Sequence, residues 1–535
     1  MKRFNKSEVV SDFYLKEEIS YFNPVDPERI KMEKRFLKVG AIVSDRLADG
    51  LEPEVDLHFL LEETWKGSVS YSDLDFILIE SCLEDCFGNW KGEISNFKKT
   101  NELSELIAHA REKRIPVVFW FTADNLYHNL YKGVASESDF CFCADEIEKE
   151  KLISDGVGCD ILLPAVQFKS FNPIKKYNVN SDFFVSENLV SVVKNRKENE
   201  EILKNYSQLN GVLSDPRASL SYEDTQYIPK EVILGRVRKK TRKKLLKESL
   251  AYVIFNDKDT SKTEQAWRAL DAAASGAPLL IESGLEERFE FLQGFSQVFE
   301  KTDHLFLELL RIKRDKKYHN IRKKEVWNKK LFENSFSERL ESICKKIDFY
   351  LPTSSCIKAN FYSKIDSLYS IKSTISKYDS IDFDGKSLTI YTSENSILTE
   401  LSEKVSDRDD IIIEFYPGEV YEGHIINSIA YKSNCDYLVF MDRDIEVLNV
   451  FIEDFKRYIC FSTFDISVKL RDIDYRSDWL MYNSETKNEK SIIDIYSLKI
   501  DFLKKNPFPE SFIGDVETLY CKNVSQDVDA SILVF

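Results

Sequence analysis

Glycine and proline are scarce, 17 and 13 residues in a chain of 535. That excludes a collagen-like or broadly disordered polymer, and most of the chain is expected to fold. No stretch approaches about 18 uninterrupted apolar residues, which argues against a membrane-spanning helix. The opening MKRFNKSEVVSDFYLKEEIS is basic but no apolar run follows it, so no secretory leader is expected. Positive charge is not in excess either: 75 Lys and Arg against 91 Asp and Glu give a formal net charge of −16. This disfavours broad binding to nucleic acid or anionic lipid. Repeated CxxC pairs are missing. The ten cysteines are scattered, several inside apolar runs, as expected for core thiols in a reducing, cytoplasmic compartment.

What is present is a soluble globular composition, 43% apolar and 31% charged, at a length that suits two to four domains. After a polar helical lead-in over 1–36, short apolar runs alternate with helix-like segments. LDFILIES (74–81), IPVVFWFTA (115–123), SDFCFCA (138–144) and CDILLPA (159–165) read as strands. The pattern restarts with DFFVSENLVSVV, SLAYVIFN, a helix near 263–275 and APLLIES. The alternation predicts βαβ units and parallel sheets: one α/β domain over 37–175 and another over 176–350. A Ser- and Tyr-rich stretch, 351–386, reads as a helical linker, and a third α/β unit is expected over 387–535.

Three features suggest chemistry. Ser261-Lys262-Thr263-Glu264 has the form of a capping box at a helix start, where free N–H groups, hydroxyls and an ammonium suit an anion such as a diphosphate. A well-capped helix and nothing more is the plainer reading. Asp442-Arg443-Asp444 follows the strand-like YLVFM run. Two carboxylates at a strand end either hold Mn²⁺ or Mg²⁺ or mark a surface exit. Finally, 236–247 carries eight basic residues in twelve and 311–330 ten in twenty. They read as solvated helix faces, or as peripheral contacts to the inner face of the membrane or an anionic polymer.

RALDAAASGAPLL (268–280) resembles the R-x-x-E-x-x-A-x-G-x-P segment of GT-B glycosyltransferases, especially the CgeB-like group. LDFILIESCLEDCFGNW, VVFWFTADNLYHNLY, SDFCFCADEIEKEKLISDG and LLPAVQFKSFNPI are similar to other pieces of that group, in order. The resemblance implies two Rossmann-like domains facing across a cleft, with the nucleotide-sugar donor bound mainly by the second. Asp271 then stands where the family has a ribose-binding glutamate, and Thr263 where many members have the first acid of a Glu-x7-Glu pair. Arg268, Ser275 and Gly276 match, and Ser261, Lys262 and Thr263 join them as donor-binding candidates. Trp120, Asp124, Asn125 and His128 would line the acceptor side, with Asp124 and His128 as catalytic candidates.

EGHIINSIAYKSNCDYLVFMDRD (422–444) is similar to the stretch of GT-A glycosyltransferases that leads into an Asp-x-Asp metal motif. That implies a metal site at Asp442 and Asp444, with Asp442 also facing the donor. NPFPESFIGDVETLYCKN resembles the segment with the catalytic carboxylate of inverting members, which implies Asp515 as base, with Glu517 as the alternative. Only some 55 residues separate the expected start of this unit from Asp442, fewer than a full nucleotide-binding half uses.

The expectation is a cytoplasmic multidomain glycosyltransferase, a GT-B pair followed by a GT-A-like module. It would move sugar from a nucleotide-sugar donor to a glycan, surface glycopolymer or protein acceptor, with no nucleic-acid partner. Two transferase modules suit the successive additions that build a surface polysaccharide. The rival from another class is a carbohydrate-binding or scaffold protein made of degenerate transferase domains. A dinucleotide-type Rossmann enzyme is disfavoured because no G-x-G-x-x-G follows the first strand.

Overall fold

The computed structural model describes residues 37–98, 101–173, 183–186, 209, 211–214, 233–235, 239–256, 261–287, 289–327, 329–349, 357–418, 420–441, 448, 451–452, 455–456, 459, 466–470, 481–482, 492–505, 507–508 and 532–534. They fall into two compact units, one holding the described residues up to 349 and the other those from 357 onward.

The first half of the first unit runs β1 (Lys38–Ile42), α1 (Asp45–Leu51), β2 (Asp56–Phe59), α2 (Trp65–Tyr71), β3 (Phe76–Glu80), α3 (Glu102–Glu112), β4 (Val117–Phe121), α4 (His128–Glu137), β5 (Phe140–Cys143), α5 (Glu146–Ser154) and β6 (Cys159–Ile161). Its six strands are parallel in the order β2-β1-β3-β4-β5-β6. All residues of FILIE in β3 and VVFWF in β4 are buried, because a parallel sheet is covered on both faces. Ile77, Ile79, Phe119 and Phe121 enter one core layer. Phe76, Leu78, Val118 and Trp120 enter the other, as the two-residue period of a strand requires.

The second half runs β7 (Phe184–Ser186), β8 (Gly211–Ser214), β9 (Ile233–Gly235), α6 (Lys239–Glu248), β10 (Tyr252–Ile254), α7 (Lys262–Ala274), β11 (Leu279–Glu282), β12 (Ser296–Phe299), α8 (Thr302–Arg314), α9 (Lys316–Val326), α10 (Lys329–Phe332) and α11 (Phe336–Lys346). Its sheet is also parallel, in the order β12-β11-β10-β7-β8-β9. Both halves are therefore Rossmann-like. They share a core: Trp267 of α7 and Phe336 of α11 pack on Trp120, with ring centroids 5.9 and 6.5 Å away. Trp120 is wholly buried and donates its indole N–H to the Leu162 carbonyl at 3.1 Å. It therefore belongs to this junction rather than to the acceptor surface expected for it.

The second unit runs β13 (Ala359–Lys364), α12 (Leu368–Ser380), β14 (Lys386–Thr392), α13 (Asn395–Lys404), β15 (Ile411–Phe415), α14 (Glu422–Lys432), β16 (Tyr437–Phe440), β17 (Ile466–Leu470), β18 (Met481–Tyr482), β19 (Ile492–Lys499), α15 (Ile500–Lys505) and β20 (Ile532–Val534). The sheet order is β15-β14-β13-β16-β19-β17-β20-β18. Its first four members are mutually parallel and β19 runs antiparallel to β16. This corrects the expected linker over 351–386, which instead carries α12 and β13, the latter hydrogen-bonded between β14 and β16. The strand hides in the sequence because two of its buried residues, Asn360 and Ser363, are polar. The parallel part of this sheet thus begins by Ala359.

Candidate functional site

The first sheet reverses its winding between β1 and β3, and the second between β7 and β10. In open α/β sheets the crevice at the carboxyl ends of such strands is where ligands bind. A cleft of about 210 Å³ lies there, lined by Ser44 and Arg46 after β1, Glu80 at the end of β3, Thr122, Ala123, Asp124 and Tyr127 after β4, and Ser261, Glu264 and Trp267 at the opening of α7. Helix α7 follows β10, so the second half meets the cleft on the β10 side of its own switch point.

Ser261 caps α7: its hydroxyl accepts from the Glu264 N–H at 3.1 Å, which is one of the two bonds of a capping box. The Lys262 N–H donates to Asp124 Oδ2 at 2.9 Å, and the Lys262 ammonium donates to Asn256 Oδ1. Arg46 and Arg268 each reach Glu264 Oε1 at 2.9 Å. Burial pushes the Glu264 carboxyl up, but Arg46, Arg268 and Arg242 outweigh it and hold the group down to about 2. Asp271 pairs with Arg242 at 2.7 Å and lies 3.7 Å from Arg46. Three guanidinium groups and two carboxylates thus form one network along α7.

The other donor candidates are placed differently. The Thr263 hydroxyl is buried and makes no hydrogen bond among the described residues. Ser275 and Gly276 end α7, about 20 Å from its start at 1.5 Å per residue. There the Ser275 hydroxyl donates to the Asp271 carbonyl at 2.8 Å. Gly276 has φ +80° and faces Pro173 so closely that a Cβ would lie 2.6 Å from the Pro173 Cβ. Glycine is required at that helix stop by conformation and by space.

His128 opens α4 with both ring nitrogens engaged, Nδ1 with Glu148 at 2.6 Å and Nε2 with Asp155 at 2.9 Å. That arrangement fixes the ring. Burial pushes the Glu148 carboxyl up, while His128 and Lys132 lower that of Asp155. Glu80 was not singled out from the sequence, although an acid closing an otherwise apolar strand is the signal that marks it.

Of the basic segments, 236–247 is partly turned inward. Arg242 pairs with Asp271, and the Lys247 ammonium donates to Asn172 Oδ1 at 2.9 Å. Burial pulls Lys247 down to about 8. In 311–330, Arg311 stacks over the Tyr318 ring at 3.7 Å and Arg322 pairs with Glu325.

In the second unit the carboxyl ends of β13 and β16 form the switch point. The Met441 N–H donates to the Tyr362 carbonyl at 2.8 Å, and the Lys377 ammonium donates to the Met441 carbonyl at 2.6 Å. Asp442 is the next residue in the chain. Asp442, Asp444, Asp515 and Glu517 lie outside the described residues. Among the described residues no cluster of His, Cys, Asp or Glu is arranged to hold a metal ion, and no helix is long and apolar enough to cross a membrane.

No protein-family model matches the chain, and no curated protein matches it. Solved structures similar to it include a sucrose-phosphate synthase from Thermosynechococcus elongatus, at TM-score 0.36 and 10% identity over 54% of this chain and 76% of that one. TarM matches at TM-score 0.35 and 10% identity, over 52% of this chain and 57% of its own length. A mutant O-GlcNAc transferase from Thermobaculum terrenum matches at TM-score 0.35 and 12% identity, over 61% and 68%. Likeness of this degree assigns no activity; what bears on activity is the cleft itself.

Proposed function

We propose that the chain is a glycosyltransferase of the GT-B type, related to the CgeB-like group, with a GT-A-like module in its second unit. The observation that carries this reading is a cleft lined by the switch point of the first sheet and by the start of the helix that follows β10 of the second. The cleft holds Arg46 and the capped start of α7, with Arg268 and Arg242 in the network beside it. Cations beside the positive end of a helix dipole are what a nucleoside diphosphate needs, and departure of that diphosphate from a sugar is the reaction they would favour. Asp124, with Tyr127 beside it, faces the acceptor, a glycan, glycopolymer or protein hydroxyl.

For the second unit, the parallel order β15-β14-β13-β16 followed by antiparallel β19 supports a nucleotide-binding half. Asp442 and Asp444 are the proposed Mn²⁺ or Mg²⁺ ligands, with Asp515 or Glu517 as base. A bound cation would supply charge neutralisation on the departing diphosphate.

A second reading, a non-catalytic carbohydrate-binding or scaffold protein, is favoured by one observation: Asp271, at the ribose position of the family, is already paired with Arg242. The two are separated by incubating the protein with uridine, guanosine, cytidine and thymidine diphosphate sugars, with and without Mn²⁺, and measuring free nucleotide. The transferase reading expects release from at least one donor. No release from any, with sugar binding intact, would establish the scaffold reading.

A further inference from the structure

We infer that Glu80 is the proton-accepting carboxylate of the first unit's cleft, acting on the hydroxyl that attacks the donor sugar; the role rests on the transferase reading above. Glu80 ends β3 and is only 5% exposed, yet it lines the cleft. A carboxylate at the end of an apolar strand is costly unless donors meet it. The Ser44 N–H donates to Oε2 at 2.7 Å, and the Thr122 hydroxyl donates to Oε1 at 2.7 Å. The Thr122 and Ala123 N–H groups donate to Ser81 Oγ at 2.8 and 2.9 Å, which steadies the loop carrying Thr122. Groups following β1, β3 and β4 thus fix the carboxylate's position. A carboxylate accepts about four hydrogen bonds, so both oxygens retain capacity for a substrate proton.

Of the other acids of the cleft, Glu264 is the one most heavily paired. Glu264 is paired with Arg46 and Arg268 and held down to about 2, which makes it a weak base. Asp124 Oδ2 receives the Lys262 N–H. Glu80 forms no ion pair among the described residues. Burial raises its carboxyl and outweighs the opposing hydrogen bonds from Ser44 and Thr122 and the nearby Arg46 charge.

In the step, the acceptor hydroxyl oxygen forms a bond to the anomeric carbon of the nucleotide sugar. The bond from that carbon to the diphosphate oxygen breaks, its electron pair leaving with the nucleoside diphosphate. The hydroxyl proton passes to Glu80.

The test is hydrolysis of the same four classes of nucleotide sugar by the full chain in EDTA, where water replaces the acceptor and metal-dependent turnover is silent. Rates are followed from about pH 5 to about pH 9, and calorimetric binding of the matching nucleoside diphosphate is measured alongside. Glu80→Gln is expected to lower kcat about 100-fold or more, abolish the acidic limb of the pH profile and leave the nucleotide Kd within about threefold, with partial rescue by formate. Glu80→Asp is expected to keep that limb, shifted in pH. If Glu80→Gln binds nucleotide with the wild-type profile, or loses binding and turnover together, the residue only ties the strands and the role is overturned. If the Gln variant does not fold, Glu80→Asp decides, and an unshifted limb overturns the role. Wild-type protein that neither binds nucleoside diphosphates nor releases them overturns the transferase reading, and this role with it.

Discussion

Asp124 Oδ2 accepts a hydrogen bond at 2.9 Å from the backbone N–H of Lys262, 138 residues away in sequence. The contact sets a carboxylate of the first half on the opening turn of α7, where free N–H groups and the helix dipole favour negative charge. Arg46 makes the reciprocal contact, from α1 to Glu264 of α7. One contact of each sign ties the halves of the first unit across the cleft.

Replacing Asp124 with Asn keeps an acceptor but removes the charge from the helix start. The expected loss is about 1 kcal/mol of stability, read as a lower urea midpoint for the full chain at neutral pH. An unchanged midpoint would show that the contact contributes nothing.

Glu264 gives a pH dependence of defined sign. Its folded value of about 2 lies below the ordinary carboxylate range, so its stabilisation is complete above about pH 4.5 and is lost as the pH falls through about 2. The full shift corresponds to about 3 kcal/mol, but the side chain is 28% exposed, and we expect roughly half of that. The stability gap between wild type and Glu264→Gln should therefore narrow between about pH 6 and about pH 3 in urea titrations. A constant gap would contradict the ion-pair account.

Gly50 lies in α1 directly under the Phe336 ring, and a methyl group added there would overlap the ring. The Gly50 carbonyl also accepts from the Gln167 side-chain amide at 2.7 Å. Gly50→Ala is expected to destabilise the first unit by about 1–3 kcal/mol despite alanine's better helix propensity. A stabilised variant, by calorimetry, would mean that the α1–α11 contact is loose.

Much of this architecture was legible in the sequence. The runs at 76–79, 117–121, 252–254 and 279–281 are continuous apolar segments, and buried parallel strands require that pattern. Helix α7 announced itself through Ser261 and Glu264, and its end through Gly276. What escaped was polar inside or carried by few residues. β13 was lost behind Asn360 and Ser363. β2, Asp-Leu-His-Phe, is a short, half-exposed edge strand without a strong apolar pattern. Arg46 escaped because its role comes from a partner more than 200 residues away, which no local pattern encodes, whereas Glu80 carried a local signal, an acid closing an apolar strand, but its partners Ser44 and Thr122 did not.

The position of β13 makes a sharp expectation about fragments. A fragment of 353–535 retains the strand between β14 and β16 and should melt cooperatively. A fragment of 387–535 lacks it, leaves two strand edges unpaired and should be insoluble or non-cooperative. Equal behaviour of the two fragments would contradict the sheet order.

The most direct measurement is isothermal titration of the full chain, in EDTA and with Asp442→Asn to silence the second unit, with uridine, guanosine, cytidine and thymidine diphosphates. The account expects at least one of them to bind, and Arg46→Ala to weaken that nucleotide about 10-fold or more, the scale of a charged hydrogen bond. If none of the four binds at millimolar concentration, or if Arg46→Ala binds as tightly as the parent, the cleft is not a nucleotide-sugar site.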